Sequence, residues 1–461
     1  MPELILPTSL IAKMDKPGPR YTSYPTADKF TDAYTFTQHQ ETLKMLGSNY
    51  HNEPISLYFH IPFCQSVCFY CACNKVITMH QHRADEYFMH LIKEIDLTTQ
   101  LISKRLTVSQ IHFGGGTPTY MTDEQLEAIL IHVRKKFDVT RDVECSIEID
   151  PRTVNYDRLN RLDDIGFNRI SIGVQDFDGD VQKAVHRVQP FRQVAEIFLT
   201  AKKLAIESIN VDMIYGLPKQ TPETFAQSLE TLIDLKPDRI ALYAYAHLPE
   251  RFKPQRRIIT EELPTSEQRL TMLGMAIEQL TKAGWDYIGM DHFALPTDSL
   301  AIAKREGKLQ RNFQGYSTHA KTDLIGFGVS AISLINGNYS QNQRELIAYE
   351  DALANHQLPS FRGYASDADD LLRYTIIMQI MCQGKISFSE INKEFDIDFL
   401  NYFKHELLSL DDLITEGLCY YDDEQLVVTN RGWFLVRGIA MRFDKHLQNR
   451  LDTQTRFSKI I

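Results

Sequence analysis

Between residues 55 and 295 the chain alternates two periodicities. Short runs rich in apolar and β-branched residues read as strands: SLYFHI (56–61), QIHFG (110–114), CSIEI (145–149), RISIGV (169–174), INVDMIYG (209–216) and RIALYAY (239–245). The stretches between them place apolar residues every three or four positions and read as helices. In TDEQLEAILIHVRKKF, Leu126, Leu130, Val133 and Phe137 share one face behind an acidic first turn. YDRLNRLDDIG gathers Leu159, Leu162 and Ile165 and stops at Gly166, which suits the left-handed residue that closes a helix. QTPETFAQSLETLIDLKP opens with Thr221 as N-cap and Pro222 in the first turn, and ends before Pro237.

Six strand–helix units in succession predict an α/β fold with a parallel sheet and right-handed crossovers. Such a sheet can be open and doubly wound, or curled into a partial barrel. The unusual residues favour the barrel, because they sit at the C-terminal ends of several different strands. GGGTPT follows the second strand, Glu148 ends the third, Gln175 follows the fourth and Asp212 lies within the fifth. Barrel enzymes assemble their sites in that way, whereas a doubly wound sheet concentrates polar residues at one switch point. The expected organisation is an arm over the active site (1–50), a partial (β/α)6 barrel (51–295), a connecting segment contributing to the active site (296–360) and a lid domain (361–461).

The lid domain is expected to be mainly helical and winged-helix-like. Helical patterns around 369–382, 389–395 and 399–410 lead into a β-hairpin turning on Asp422-Asp423-Glu424 and a final helix. The arm contains KPGPRYTSYPT (16–26), with three prolines and no periodicity. Two readings stand: an extended segment tied to the domain surface, or one laid over the active site so that Arg20, Tyr21 and Tyr24 meet a ligand.

Net charge is −10, which disfavours a nucleic-acid binder held by its overall field. Residues 387–430 carry eleven Asp and Glu against two Lys and Arg, so the winged-helix-like region is not expected to contact phosphates. No apolar run approaches the roughly 18 residues that span a bilayer. The start, MPELILPTSLIAKMDK, lacks the basic-then-apolar pattern of a signal peptide, and a cytoplasmic location is expected.

Four of the seven cysteines fall within ten residues, in CQSVCFYCACNK (64–75). Cys145, Cys382 and Cys419 are scattered and read as buried apolar fillers. The cluster reads as a metal site, because thiolates on one short loop suit zinc or iron–sulfur and not a hard cation. A structural zinc site takes two ligand pairs from separate turns. No second Cys or His pair follows with that spacing, which favours an iron–sulfur cluster. On spacing alone, three ligands and four both stand. Three would leave one iron open to an exogenous ligand, and four would make an electron carrier.

CxxxCxxC on the loop after the first barrel strand resembles the radical S-adenosylmethionine (SAM) superfamily, with GGGTPT after strand two and SIEIDP ending strand three in the matching places. More narrowly, the chain resembles the oxygen-independent coproporphyrinogen III oxidase family from end to end. RYTSYPT, YFHIPFC, CNK, HFGGGTPTY, EIDPR, GVQDF, DMIYGLPKQTPE, YAHLP, GMDHFA, RNFQGYST and GVSAIS carry that likeness. The resemblance implies a [4Fe–4S] cluster on Cys64, Cys68 and Cys71, with SAM on the fourth iron and Cys73 left over. Positions matching the surroundings of that SAM are Tyr58, Gly115, Glu148 and Ile332. Those matching a second SAM are Tyr70, Gly116, Thr117, Gln175, Arg187, Asp212 and Ala246. Gly114, Gly115 and Gly116 lack side chains, so backbone can approach the methionyl part of SAM closely. The order Phe69-Tyr70 departs from the family, where the aromatic pair is reversed.

The implied reaction is oxidative decarboxylation of two propionate side chains of coproporphyrinogen III to vinyl groups, giving protoporphyrinogen IX in haem biosynthesis. The radical comes from SAM, so no general base is assigned. An external electron donor and acceptor are implied, with a monomeric chain, no nucleic acid and no membrane span. The substrate's carboxylates need local donors, for which Arg20, Arg311 and His292 are candidates. The alternative is a haem-binding or haem-modifying radical SAM relative without this activity; Cys73 and the N-terminal arm speak against it.

Overall fold

The computed structural model describes residues 17–48, 53–313, 315–319 and 322–448. The start of the chain, where no signal peptide is expected, and Gln314 of RNFQGYST lie outside them. The chain divides into two compact units, Phe30–Arg269 with Thr322–Ala365, and Met1–Lys29 with Leu270–Lys321 and Ser366–Ile461.

In the larger unit, β1 (Ile55–Ile61), β2 (Thr107–Gly115), β3 (Asp138–Ile149), β4 (Arg169–Gln175), β5 (Ser208–Tyr215) and β6 (Arg239–Ala244) are parallel and lie side by side in chain order. Sequential order marks a singly wound, barrel-type sheet, since a doubly wound one reverses direction at its switch point. Beyond β1 the sheet continues through β7 (Leu324–Phe327), β8 (Ile332–Ile335), β9 (Asn338–Asn342) and β10 (Ser360–Tyr364). β7 pairs parallel with β1, and the rest follow antiparallel. This extension was not legible as strands, because no helix separates β7, β8 and β9, and one helix, Leu346–Ala354, intervenes only before β10.

The crossover helices form where their caps and apolar faces dictate. Thr122 and Gln125 make a reciprocal capping box at the start of α2 (Asp123–Lys136), with acidic residues in the first turn and three cations in the last. The helix buries Leu126, Ile129, Leu130 and Val133 against the sheet. α3 (Tyr156–Ile165) is capped by Asn155 and closed by Gly166 at φ +108°. Between the sheet and these helices, Phe59 stacks on Phe113 at 4.7 Å and on Phe327 at 5.2 Å, so β1, β2 and β7 share one aromatic core.

One buried carboxylate ties the extension to the barrel. Glu94, on α1 (His82–Leu101), accepts hydrogen bonds from Gly328 N at 2.8 Å, Asn342 Nδ2 at 2.6 Å and Tyr349 Oη at 2.7 Å. Nearby, Tyr87 Oη donates to His60 O at 2.7 Å and accepts from Val329 N at 2.9 Å. The loop before β8 is thereby held to the end of β1.

In the smaller unit, helices Ala368–Gln383 and Phe388–Phe395 and three short helices within Phe399–Thr415 pack on a three-stranded antiparallel sheet. Its strands are Lys385–Ser387, Gln425–Val428 and Cys419–Tyr421, and the hairpin turns where the acidic triplet predicts. Arg373, nearly buried, donates to Glu406 Oε1 and to Phe443 O, both at 2.9 Å. The arm joins this core: Tyr21 and Tyr24 are fully buried. Tyr21 Oη donates to Asp444 at 2.9 Å, and Lys445 N donates to Tyr24 Oη at 3.2 Å. The two tyrosines are structural residues of the unit. Cys145, Cys382 and Cys419 are buried as expected. Among the described residues no helix is long and apolar enough to cross a membrane.

Burial pushes the Glu94 carboxyl up to about 7, against the opposing hydrogen bonds of Tyr349, Gly328 and Asn342. An unfolded glutamate titrates near 4.3. The native state therefore holds the extra proton between those values, and stability falls as pH rises through that window. Glu94→Gln is expected to make the decline in Tm between pH 5 and pH 8 shallower, read by thermal unfolding at both; an unaltered slope would count against it.

Candidate active site

Strand pleating sends alternate side chains to one face of the parallel sheet. Register places Tyr58 beside His112, His112 beside Ser146, Glu148 beside Ser171, Ser171 beside Asn210, and Gly173 beside Asp212. These side chains form a polar, half-buried file across β1 to β5, while their sequence neighbours pack into the apolar core. The file is internally bonded. Tyr58 Oη meets His60 Nδ1 at 3.0 Å, and His112 meets Ser146 Oγ at 2.6 Å through Nδ1 and Glu148 Oε1 at 3.3 Å through Nε2. Ser171 and Asn210 donate to the two oxygens of Asp212 at 3.1 and 2.8 Å.

The two carboxylates of the file titrate apart. Burial alone would raise Glu148, but His112 and the Gly115 N–H, at 3.1 Å, hold it below the usual range and anionic. Asp212 is pushed up to about 7 by burial and by the charge of Glu148, against the hydrogen bonds of Asn210 and Ser171. One anion and one group poised near neutrality therefore face the same space.

The cysteine loop leaves the end of β1 and is locked to the glycine turn after β2. Gly116 N donates to Ile61 O and Thr117 N to Phe63 O, each at 2.8 Å. A side chain at Gly116 would lie 2.7 Å from Pro62 O, and Gly115, at φ +114°, would place one 2.6 Å from the His60 ring. The glycines are required by this packing as well as by any ligand.

Donors converge on the sulfurs. Thr117 Oγ1 donates to Cys64 Sγ at 3.4 Å; Arg187 Nη1 and Arg152 Nη2 point at Cys68 Sγ from 3.4 and 3.6 Å. Both guanidiniums also bind Asp150, at 3.1 and 2.6 Å. Burial pushes the Cys64 thiol up to about 11, whereas a hydrogen bond from Cys73 brings Cys71 down to about 6, with help from Lys75. Among the described residues no three His, Cys, Asp or Glu side chains converge closely enough to chelate a single metal ion. Three thiols on one loop, each beside a donor or a cation, fit the larger iron–sulfur cubane.

The remaining predicted positions fall into two groups. Tyr58, Gly115 and Glu148 are linked through His60 and His112, and Ile332 lies against Gly326, the β7 partner of Tyr58. Arg187 and Gln175 flank Gly173, which lies opposite Asp212. Gln255 Nε2 bridges Tyr70 O at 3.0 Å and Ala246 O at 3.2 Å, while Gly116 and Thr117 approach through the cysteine loop. Gln175 ends β4 at φ +70°, a conformation that costs a non-glycine residue energy and marks functional turns. Sequence reasoning assigned no role to His60, His112, Asp150, Arg152 or Gln255. HFGGG and EIDPR contain three of them, and their alternation with the core residues was the available signal. Tyr70 follows Phe69, which stacks on His186 at 5.0 Å instead of facing Gln255.

In the smaller unit, Arg20 pairs with Asp291, and Arg311 Nε donates to Arg20 O at 3.2 Å. Arg437 donates to Pro19 O at 3.1 Å and also to Gly18 O. Two buried guanidiniums thus grip consecutive carbonyls of the arm. Burial lowers Arg437 to about 9, reinforced by the charges of Arg20 and Arg311. His292 packs edge-on against Tyr316 at 5.2 Å.

A family model described as Radical SAM superfamily matches residues 58–232, and one described as HemN C-terminal domain matches 367–435. Together with the three-thiol loop and the singly wound sheet, this makes the chain a radical SAM protein. It is 46% identical to the oxygen-independent coproporphyrinogen III oxidase of Pseudomonas aeruginosa and 43% identical to that of Escherichia coli, over 98% of both chains in each case. The solved structure of coproporphyrinogen III oxidase (HemN) from Escherichia coli, described as a radical SAM enzyme, superimposes with a TM-score of 0.91 at 41% identity, covering 96% of this chain and all of that one. The chain belongs to the oxygen-independent coproporphyrinogen III oxidase family.

Cationic N–H donors on a ligand sulfur stabilise the more negative, reduced cluster. Arg152→Ala is expected to retain iron and sulfide but lower the midpoint potential of the reconstituted cluster, followed by an EPR-monitored redox titration. An unshifted potential would show that Arg152 acts on Asp150 alone.

Proposed function

We infer that this protein converts two propionate side chains of coproporphyrinogen III to vinyl groups by anaerobic oxidative decarboxylation, giving protoporphyrinogen IX for haem biosynthesis. The observation that carries the reading is the three-cysteine loop seated on the glycine turn at the mouth of a polar strand file, in a chain that matches coproporphyrinogen III oxidases over nearly its whole length. In this reading Cys64, Cys68 and Cys71 hold a [4Fe–4S] cluster and Cys73 stays outside the ligand set. When bound, the cluster and SAM would supply one-electron radical chemistry at the propionate β-carbon, with CO₂ and one further electron leaving, the electron to the external acceptor.

The protein's own work is binding, orientation and shielding. Glu148, anionic and bonded to Gly115, would hold the ammonium or ribose hydroxyls of one SAM, with Tyr58 and Ile332 beside it. Arg187, Asp212, Gln175, Tyr70, Gly116, Thr117 and Ala246 surround a second SAM, whose carboxylate suits Arg187. Arg20, about one-third exposed in its side chain, and Arg311 and His292 serve the substrate carboxylates, Arg311 in part by fixing the arm. External partners are an electron donor and an acceptor, and the chain acts in the cytoplasm as a monomer without nucleic acid.

Anaerobically reconstituted protein with dithionite, SAM and coproporphyrinogen III is expected to yield the divinyl product by mass spectrometry; SAM cleavage without vinyl formation would favour a haem-modifying relative. Arg20→Ala is expected to raise KM for coproporphyrinogen III severalfold with iron content unchanged. Parent kinetics in that variant would remove Arg20 from substrate binding.

A further inference from the structure

The segment Arg251–Arg257, RFKPQRR, carries four cations in seven residues of a chain whose net charge is −10. Arg251, Lys253, Arg256 and Arg257 are all exposed. Among the described residues none is paired with a carboxylate: Arg256 Nε donates to Pro249 O at 3.0 Å, and Arg251 and Arg257 lie over Phe252 and Phe69. The acidic residues of the same stretch flank it, at Glu250, Glu261 and Glu262, and Glu262 faces Lys219 at 3.6 Å.

This strip is anchored to the cysteine loop. The Arg257 guanidinium sits 5.3 Å from the centre of the Phe69 ring, and the buried Gln255 side chain donates to Tyr70 O. Phe69 and Tyr70 are the residues between Cys68 and Cys71. Ile258 shares an apolar cluster with both aromatics, and its neighbour Ile259 is more than half exposed. A basic strip with an apolar residue at its end therefore lies against the short stretch joining two cluster ligands.

We propose that Arg251–Arg257 is the docking surface for a small acidic electron-carrier protein that reduces the cluster. The proposal rests on the radical SAM reading above, which requires one electron from outside. That electron leaves the reduced carrier, which is oxidised by one electron, and enters the cluster. The chain's net charge of −10 repels an acidic carrier at long range, so a local patch of opposite sign sets both encounter rate and orientation. Its placement beside Phe69 and Tyr70 brings the carrier to the metal ligands.

The test uses the reconstituted holoprotein, with photoreduced flavodoxin as acidic carrier and dithionite as small reductant. The double charge reversal Lys253→Glu/Arg256→Glu leaves Arg257 on Phe69. It is expected to slow cluster bleaching by flavodoxin about tenfold or more in stopped flow and to abolish the decline of that rate with salt. Bleaching by dithionite, iron content and KM for coproporphyrinogen III are expected to match the parent. An unchanged flavodoxin rate, or an equal loss with dithionite, overturns the proposal, and a raised KM for substrate reassigns the strip to the substrate's carboxylates. Because bleaching is read without substrate, a parent that reduces normally but forms no vinyl product refutes the assigned reaction and leaves the docking proposal standing.

Discussion

Two backbone hydrogen bonds, from Gly116 to Ile61 and from Thr117 to Phe63, fix where the cysteine loop starts. The first joins the end of β1, and the second the segment just beyond it, to the turn after β2, so the loop's origin is set by the sheet. The approach is possible only because residue 116 has no side chain to strike Pro62 O. Thr117 adds a hydroxyl aimed at Cys64 Sγ, and Tyr87 holds His60 O from the other side. The loop's thiols inherit the rigidity of a buried sheet, which is how a short loop can hold donors in one geometry.

Charge is arranged around that anchor in alternation. Asp150 sits between two guanidiniums, and both of these also reach Cys68. Arg187 stays charged although burial would lower it, because Tyr70, Asp150 and Cys68 surround it. Further along the file, Glu148 is held anionic and Asp212 is pushed toward neutrality by burial and by that same anion. Groups of both signs, Arg187 and Arg152 against Asp150 and Glu148, thus stand within one unit of the chain.

The parallel core was legible because each of its strands is bounded by helices of clear period: all six strands and the caps at Thr221 and Gly166 stand where the pattern puts them, although β3 begins seven residues before its apolar run. Strands β7 to β10 were not, since LIGFGVSAIS is equally compatible with a loop and its pairing with β1 spans more than 260 positions. The site was legible where composition is unusual, at the cysteines and the glycine run. It was hidden where ordinary residues act through geometry. His60, His112 and Gln255 are single polar residues whose roles arise only from strand register or a buried bridge. Tyr21 and Tyr24 could be read two ways, and the hydroxyl partners Asp444 and Lys445 decide for the core.

The bond from Tyr21 to Asp444 joins residues 423 positions apart. During synthesis the arm leaves the ribosome first and its partner nearly last, an interval of about half a minute at typical elongation rates. All six parallel strands emerge within that interval and can pair while the arm still lacks the groups that bury its tyrosines. Truncation near the C-terminus would therefore leave two aromatic side chains at the opposite end without their shelter, a liability for nascent-chain aggregation that no inspection of the cysteine loop would reveal.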